Sequence, residues 1–186
     1  RIEKMADFRI SSFASKLQGG GARANLMEMT LGTVPGGGTA TDWRYLCKGS
    51  QIPPSNITPI EVPYFGRQVK VAGESREFPA LSTTVVNDEG HTLKAALEKW
   101  MGILNGHKSN KAKTDVFATR SGYTTQMTLK MFKKDGEKDQ EWKFIGAWPS
   151  NVSAIDLSWD SGNTIQEFTV DWQYDYYTHE QANVTS

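Results

Sequence analysis

The chain has 186 residues, 38% of them hydrophobic, with 21 Lys and Arg against 21 Asp and Glu. That is enough apolar content for one domain with a real core, which excludes wholesale disorder. A formal net charge of zero gives no global pull toward nucleic acid or a membrane surface.

The opening "RIEKMADF" lacks the apolar centre of a signal peptide, and residues 1–23 read as an N-terminal arm. No apolar run approaches the ~20 residues of a membrane-spanning helix. The first strong strand is "ANLMEMTLG", where Met27, Met29 and Leu31 share one face at period two. "VPGGGTATD" is a loop and "WRYLCKG" a short strand. Residues 33–66 together read as a loop and an extended arm, because Pro53, Pro54, Pro59 and Pro63 remove ladder donors. Ile52, Ile57, Ile60, Val62, Tyr64 and Phe65 are the arm's apolar side chains. "RQVKVAG" and "FPALSTTVV" follow as extended segments.

One helix is predicted, over residues 92–105. Leu93, Ala96, Leu97, Trp100, Met101 and Leu104 recur at helical spacing and make a single apolar stripe. At about 1.5–3 kcal/mol per large side chain, the stripe is worth on the order of 10 kcal/mol of gross burial, so it must pack on a sheet. Asp88 and Glu89 suit the helix N-terminus, and Asn105-Gly106 predicts a left-handed stop.

"GHKSNKAKTD" is a lysine-rich loop. "YTTQMTLKMF" is a strand with Thr125, Met127, Leu129 and Met131 on one face, and Asp135-Gly136 turns it into "EWKFIGAW". "VSAIDLSWD" alternates, with Ile155, Leu157 and Trp159 on one side. The last predicted strand, "TIQEFTVDWQYDYY", runs from Thr164 to Tyr177, with Phe168, Val170, Trp172, Tyr174 and Tyr176 opposite Glu167, Thr169, Asp171, Gln173 and Asp175. The expected architecture is mainly β: a single antiparallel sandwich or barrel over residues 1–186, with eight or nine strands and one packed helix.

Catalytic chemistry finds little support. His91, His107 and His179 have no His or Cys at metal-ligand spacing. Cys47 is the only cysteine, reads as a small core residue, and cannot form an internal disulfide, which favours a reducing compartment. The glycine clusters Gly19–Gly21 and Gly36–Gly38 fit neither phosphate-binding pattern. Asp156, Asp160, Asp171 and Asp175 form a solvated ladder of acids rather than a pair in a cleft. No cofactor or metal is expected. Charge is nonetheless uneven: residues 149–186 contain six acids and no Lys or Arg.

The stretch "PYFGRQVKVAGESREFPALSTTVVNDEGHTLKAALEKWMGILNGH" resembles the signature region of T4-like bacteriophage tail tube proteins. "LQGGGARANLMEMTL" and "GAWPSNVSAIDLSWDSGNTIQEFTVDWQYDYY" agree in order on either side. The resemblance implies a structural protein, not an enzyme, with a fold similar to type VI secretion ring proteins. It implies sixfold rings stacked into a hollow tube inside a contractile sheath, with a β-barrel shared by all subunits as the inner wall and the helix outside it.

The implied partners are further copies of the chain, the tail sheath protein, the baseplate and tail terminator proteins, and the tape measure protein and genomic DNA in the lumen. The implied location is the virion tail, assembled in the bacterial host cytoplasm. Unpaired strand edges and a proline-bearing arm suit such an assembly independently. Asp171, Gln173 and Asp175 are the expected lumen-facing residues, since an acidic wall would let DNA slide. A tube carrying protein cargo, or a carbohydrate-binding β-sandwich suggested by the aromatic content, are the alternatives.

Overall fold

A computed structural model of the chain describes residues 9–17, 20–37, 40–113 and 116–181. Residues 1–8 of the expected arm, and Gly19 and Gly38 of the glycine clusters, lie outside them. The described elements in chain order are α1 (Ile10–Lys16), β1 (Met27–Leu31), α2 (Trp43–Leu46), β2 (Cys47–Gly49), β3 (Asn56–Tyr64), β4 (Arg67–Glu77), β5 (Leu81–Val86), α3 (Thr92–Leu104), β6 (Thr125–Phe132), β7 (Lys138–Val152), β8 (Glu167–Gln173) and β9 (Tyr176–Gln181).

Alternation dictates the sheet faces. Met29 on β1, Met127 and Leu129 on β6, Phe144 on β7, Phe168, Val170 and Trp172 on β8, and Leu81 and Val85 on β5 are all buried. Their strands hydrogen-bond in the order β1-β6-β7-β8-β5-β2, every pairing antiparallel. The fold class is therefore the mainly antiparallel β architecture that the period-two pattern predicts. The 15-residue β7 is long enough for two partners on one side. Its first half pairs β9 at residues 140–145, and its second half pairs β8 at residues 148–152.

Helix α3 lays Leu93, Ala96, Leu97 and Trp100 into the same core, with Met101 and Leu104 half-buried. Trp100 stands 5.8 Å from Trp172, and its Nε1 donates to the Tyr123 carbonyl at 2.8 Å. The Asp88 carboxylate accepts from the Thr92 amide at 3.0 Å and from the Thr92 hydroxyl. That arrangement satisfies one of the helix's free N–H groups.

Four local expectations are overturned. The "WRYLCKG" stretch is not all strand. Residues 43–46 form one helical turn, which carries Trp43 into the core at 5.5 Å from Trp172, edge to face. The helix stop is not left-handed at Asn105-Gly106, because Asn105 is extended (φ −150). The stop is made instead by Gly106 donating to the Lys111 carbonyl and Lys113 to the Ile103 carbonyl, with Asn110 the left-handed residue.

The third correction concerns "VSAIDLSWD", which is not a strand beyond Val152. Ser161 donates to Ser158 O, Thr164 donates to Ser161 O, and the Asp160 amide bonds Ser158 Oγ. These local turns occupy backbone groups that a ladder would need. The fourth is the long last strand, which is two. β8 ends at Gln173, and Tyr174 and Asp175 turn the chain from one partner region of β7 to the other.

Candidate assembly surfaces

Among the described residues, β3 and β4 pair only with each other, from Asn56 opposite Glu77 to Tyr64 opposite Arg67. Every residue of both strands is exposed apart from half-buried Gly73. The hairpin nonetheless carries Ile57, Ile60, Val62, Tyr64, Val69 and Val71 on its surface. A lone two-stranded hairpin is marginal in water, and this one leaves its apolar side chains exposed among the described residues.

Its tip is a two-residue turn in which Phe65 (φ 42) and Gly66 (φ 78) both have positive φ. Gly adopts this conformation freely, whereas a bulky residue does so at a cost. Phe65 is 91% exposed there, with Tyr64 edge to face at 4.7 Å. The turn thus holds a bulky residue in a costly conformation and presents its ring to solvent. Ile52, before the hairpin, is also exposed and borders a cleft of about 200 Å³ with Met27, Leu129 and Met131.

Two further segments expose apolar side chains. α1 presents Ile10 and Phe13 and buries nothing, and the β7–β8 connection presents Leu157, Ile165 and a fully exposed Trp159. The alternation of "VSAIDLSWD" predicts Ile155, Leu157 and Trp159 on one face of a strand. The exposure of Leu157 and Trp159 follows from the local turns described above.

The main sheet is open at its margins. Among the described residues, β1 pairs only β6, β9 only β7, and β2 only β5. The half-sheet β1-β6-β7-β9 therefore has a free edge on each side. Its core face carries Met29, Leu129 and Phe144, and α3 lies on that side. The opposite face is polar: register aligns Thr30, Thr128, Lys143 and Thr178 across all four strands.

The expected lumen trio does not form one continuous face. Asp171 lies on β8 opposite Ser82 and accepts from Asn151 Nδ2 at 3.0 Å. Gln173 ends the same strand opposite Trp148. Asp175 is in the corner beyond it and is bound to Arg120. Asp171 and Gln173 are thus on β8, and Asp175 stands where the chain passes from β8 to β9. The polar face of β1-β6-β7-β9 escaped the sequence reading because its members come from four separate strands.

Nothing described supports catalysis. Burial pushes the Cys47 thiol up to about 12, so it is protonated at neutral pH. His91 faces Asn87, and His179 stacks on Trp142 at 4.7 Å. Among the described residues no group of three or more His, Cys, Asp or Glu could hold a metal ion.

The profile of the phage tail tube protein family matches residues 11–180. Tail tube protein gp19 of Enterobacteria phage T4 is 28% identical over 157 residues, covering 84% of this chain and 90% of that protein. The tail tube protein of Serratia phage KSP90 is 26% identical over 159 residues, 84% of this chain and 87% of that one. Among solved structures, the tube-terminating cap of the anti-feeding prophage superposes with a TM-score of 0.61 at 15% identity, covering 98% of this chain and all of that one. A chain of the sheath–tube complex of the PVC extracellular contractile injection system gives 0.58 at 13%, covering 95% and 100%. At those identities the two structures speak for the fold alone. A family match of this extent, over a mainly β fold with open edges, identifies the chain as a structural protein of the phage tail tube family.

Proposed function

We propose that this tube protein forms homohexameric rings that stack into the hollow inner tube of a contractile phage tail, through which DNA is ejected. The observation that carries the reading is the half-sheet β1-β6-β7-β9, free at β1 on one side and β9 on the other. A β1 edge of one copy against a β9 edge of the next leaves neither unpaired. Repetition around an axis then closes a barrel with no exposed edge. The polar face looks into the channel, while the core and α3 lie outside it. Stacking is heterologous and does not close on itself, so rings grow into a filament.

The hairpin β3–β4, with Ile57, Ile60, Val62, Tyr64 and Phe65, is the arm that reaches an adjacent subunit. The tail sheath protein surrounds the tube, baseplate and terminator proteins meet its ends, and tape measure protein and genomic DNA occupy the lumen. Assembly takes place in the host cytoplasm. On this reading the expected lumen residues Asp171 and Gln173 border the channel-tiling half-sheet on β8, next to β7, and Asp175 borders it at the corner that leads into β9.

Cryo-electron microscopy of tubes grown from the concentrated protein tests this reading. The expected density has β1 of one copy hydrogen-bonded to β9 of the next in a sixfold ring. Rings in which both edges face solvent, or in which α3 faces the channel, overturn it. A protein-carrying injection tube would share the ring geometry and differ in its passenger.

A further inference from the structure

Two exposed apolar surfaces sit at opposite ends of the main sheet. β1 and β7 run the same way, since each is antiparallel to β6. Met27, where β1 begins, shares a row with Met131 and Gln140, near the start of β7. α1 lies at this end: a Cβ on Gly20, beyond the helix C-terminus, would stand 3.2 Å from Lys134 Nζ in the turn between β6 and β7. The β7–β8 connection leaves from the other end, where β7 stops at Val152. The 15 residues of β7 set the two ends roughly 45 Å apart at about 3.3 Å per residue.

Each surface carries charge beside its apolar side chains, and the two charges are opposite. Ile10, Phe13 and Leu17 recur at helical spacing along α1 and its C-cap, and all three are exposed. Lys16 is the charged residue of the helix, and residues 9–26 contain no acid. A helix this short has little stability of its own in water, and α1 draws none from the core, since it buries no residue. The connection exposes Leu157, Trp159 and Ile165. Leu157, Ile165 and Asp156 line a cleft there of about 480 Å³. Residues 149–166 contain no Lys or Arg.

The acidic bias of the C-terminal segment narrows to this place. Of its six acids, Glu167 pairs with Lys48, Asp171 accepts from Asn151, Asp175 is held by Arg120, and Glu180 pairs with Lys143. Asp156 and Asp160 are the two whose carboxylates have no such partner among the described residues, and both are exposed. Separated by the length of β7, α1 and the connection of one copy do not meet each other. Rings stacked in one orientation bring the rim that carries α1 onto the rim that carries the connection, which is a heterologous contact that repeats without closing.

We propose that α1 of one copy seats its Ile10–Phe13–Leu17 face on the β7–β8 connection of a copy in the next ring, with Lys16 against Asp156 and Asp160. The inference rests on the tube reading above and names the surfaces that join ring to ring.

The test breaks one surface at a time. Phe13→Ser alters α1, and Leu157→Ser with Trp159→Ser alters the connection; all three side chains are exposed, so the melting temperature of the monomer is expected to hold. Each variant alone is expected to form rings but to need at least about tenfold more protein than wild type to grow tubes. Rings of the first variant keep the connection and rings of the second keep α1. Mixed at a concentration where wild type grows, they are expected to give two-ring particles in sedimentation and electron microscopy, and no long tubes.

A charge-reversed set is read in the same way, and stands in where an aromatic or leucine variant makes no rings. Lys16→Glu alone, and Asp156→Lys with Asp160→Lys, are each expected to block growth, and the three substitutions joined in one chain to restore it. Tube growth by each one-surface variant at the wild-type concentration, or joined reversals that restore nothing, overturns the contact and leaves the tube reading standing. Wild-type protein that forms neither rings nor tubes overturns the tube reading and the inference with it.

Discussion

Arg120 grips Asp175 with two guanidinium nitrogens: Nε donates to Oδ2 at 2.8 Å and Nη2 donates to Oδ1. The pair ties the turn just before β6 to the corner where β8 gives way to β9. The Asp175 amide also donates to the Ile145 carbonyl at 2.9 Å. Beneath it, Gly146 has φ +70, and a Cβ there would collide with the Asp175 carboxylate. The corner therefore needs an acid, a cation and a glycine together.

Gly146→Ala is expected to destabilise the chain by at least about 1–2 kcal/mol, from the left-handed backbone alone. At roughly 2–4 °C per kcal/mol for a chain of this size, the melting temperature should fall by at least about 2–8 °C. Arg120→Ala, which breaks a solvent-exposed pair, should lower it by less. Equal melting temperatures for Gly146→Ala and wild type would show that the corner is not constrained in this way. Asp175→Lys should disturb the corner before it affects any passenger.

Trp172 Nε1 donates to Thr83 Oγ1 at 2.9 Å inside the core. Thr83→Val keeps the shape and removes the acceptor. An unpaired buried donor costs about 1–3 kcal/mol, so denaturant unfolding should show a lower midpoint with an unchanged slope.

The Asp88 cap carries a pH dependence. Its carboxyl titrates below the ordinary 3.8, chiefly through the hydrogen bond from Thr92. A lowered folded-state value means that the stabilisation is complete above the unfolded value and is lost as pH falls through the folded one. Asp88→Ala should cost about 1 kcal/mol at neutral pH. The gap from wild type should close as pH is taken below 3.8, read as melting temperature across a pH series.

Phe65 sets stability against assembly. Asn-Gly is the favoured pair for a two-residue turn with positive φ at both positions. Phe65→Asn should leave the monomer as stable as wild type or raise it by up to about 1 kcal/mol. If the hairpin tip contacts an adjacent copy, the same substitution should raise the concentration needed for tube growth. Unchanged growth by light scattering would remove the tip from the assembly contact.

The alternation of apolar and polar residues determined the strands and their buried sides. Met29, Met127, Phe144, Val170 and Trp172 point inward because a period-two pattern has one dry face. The helical stripe from Leu93 to Leu104 was equally legible, since a 3.6-residue period needs no partner to be seen.

Where a strand stops was not legible. "TIQEFTVDWQYDYY" alternates without interruption through Tyr174 and Asp175. The chain turns there because Arg120, 55 residues earlier, and Gly146 on β7 hold the corner. The pairing that leaves β1 and β9 unpartnered, and the polar row that crosses four strands, were likewise decided only in three dimensions. Local pattern records which face of an element avoids water; edges and rows are relations between elements, set by long-range hydrogen bonds that no window of sequence contains.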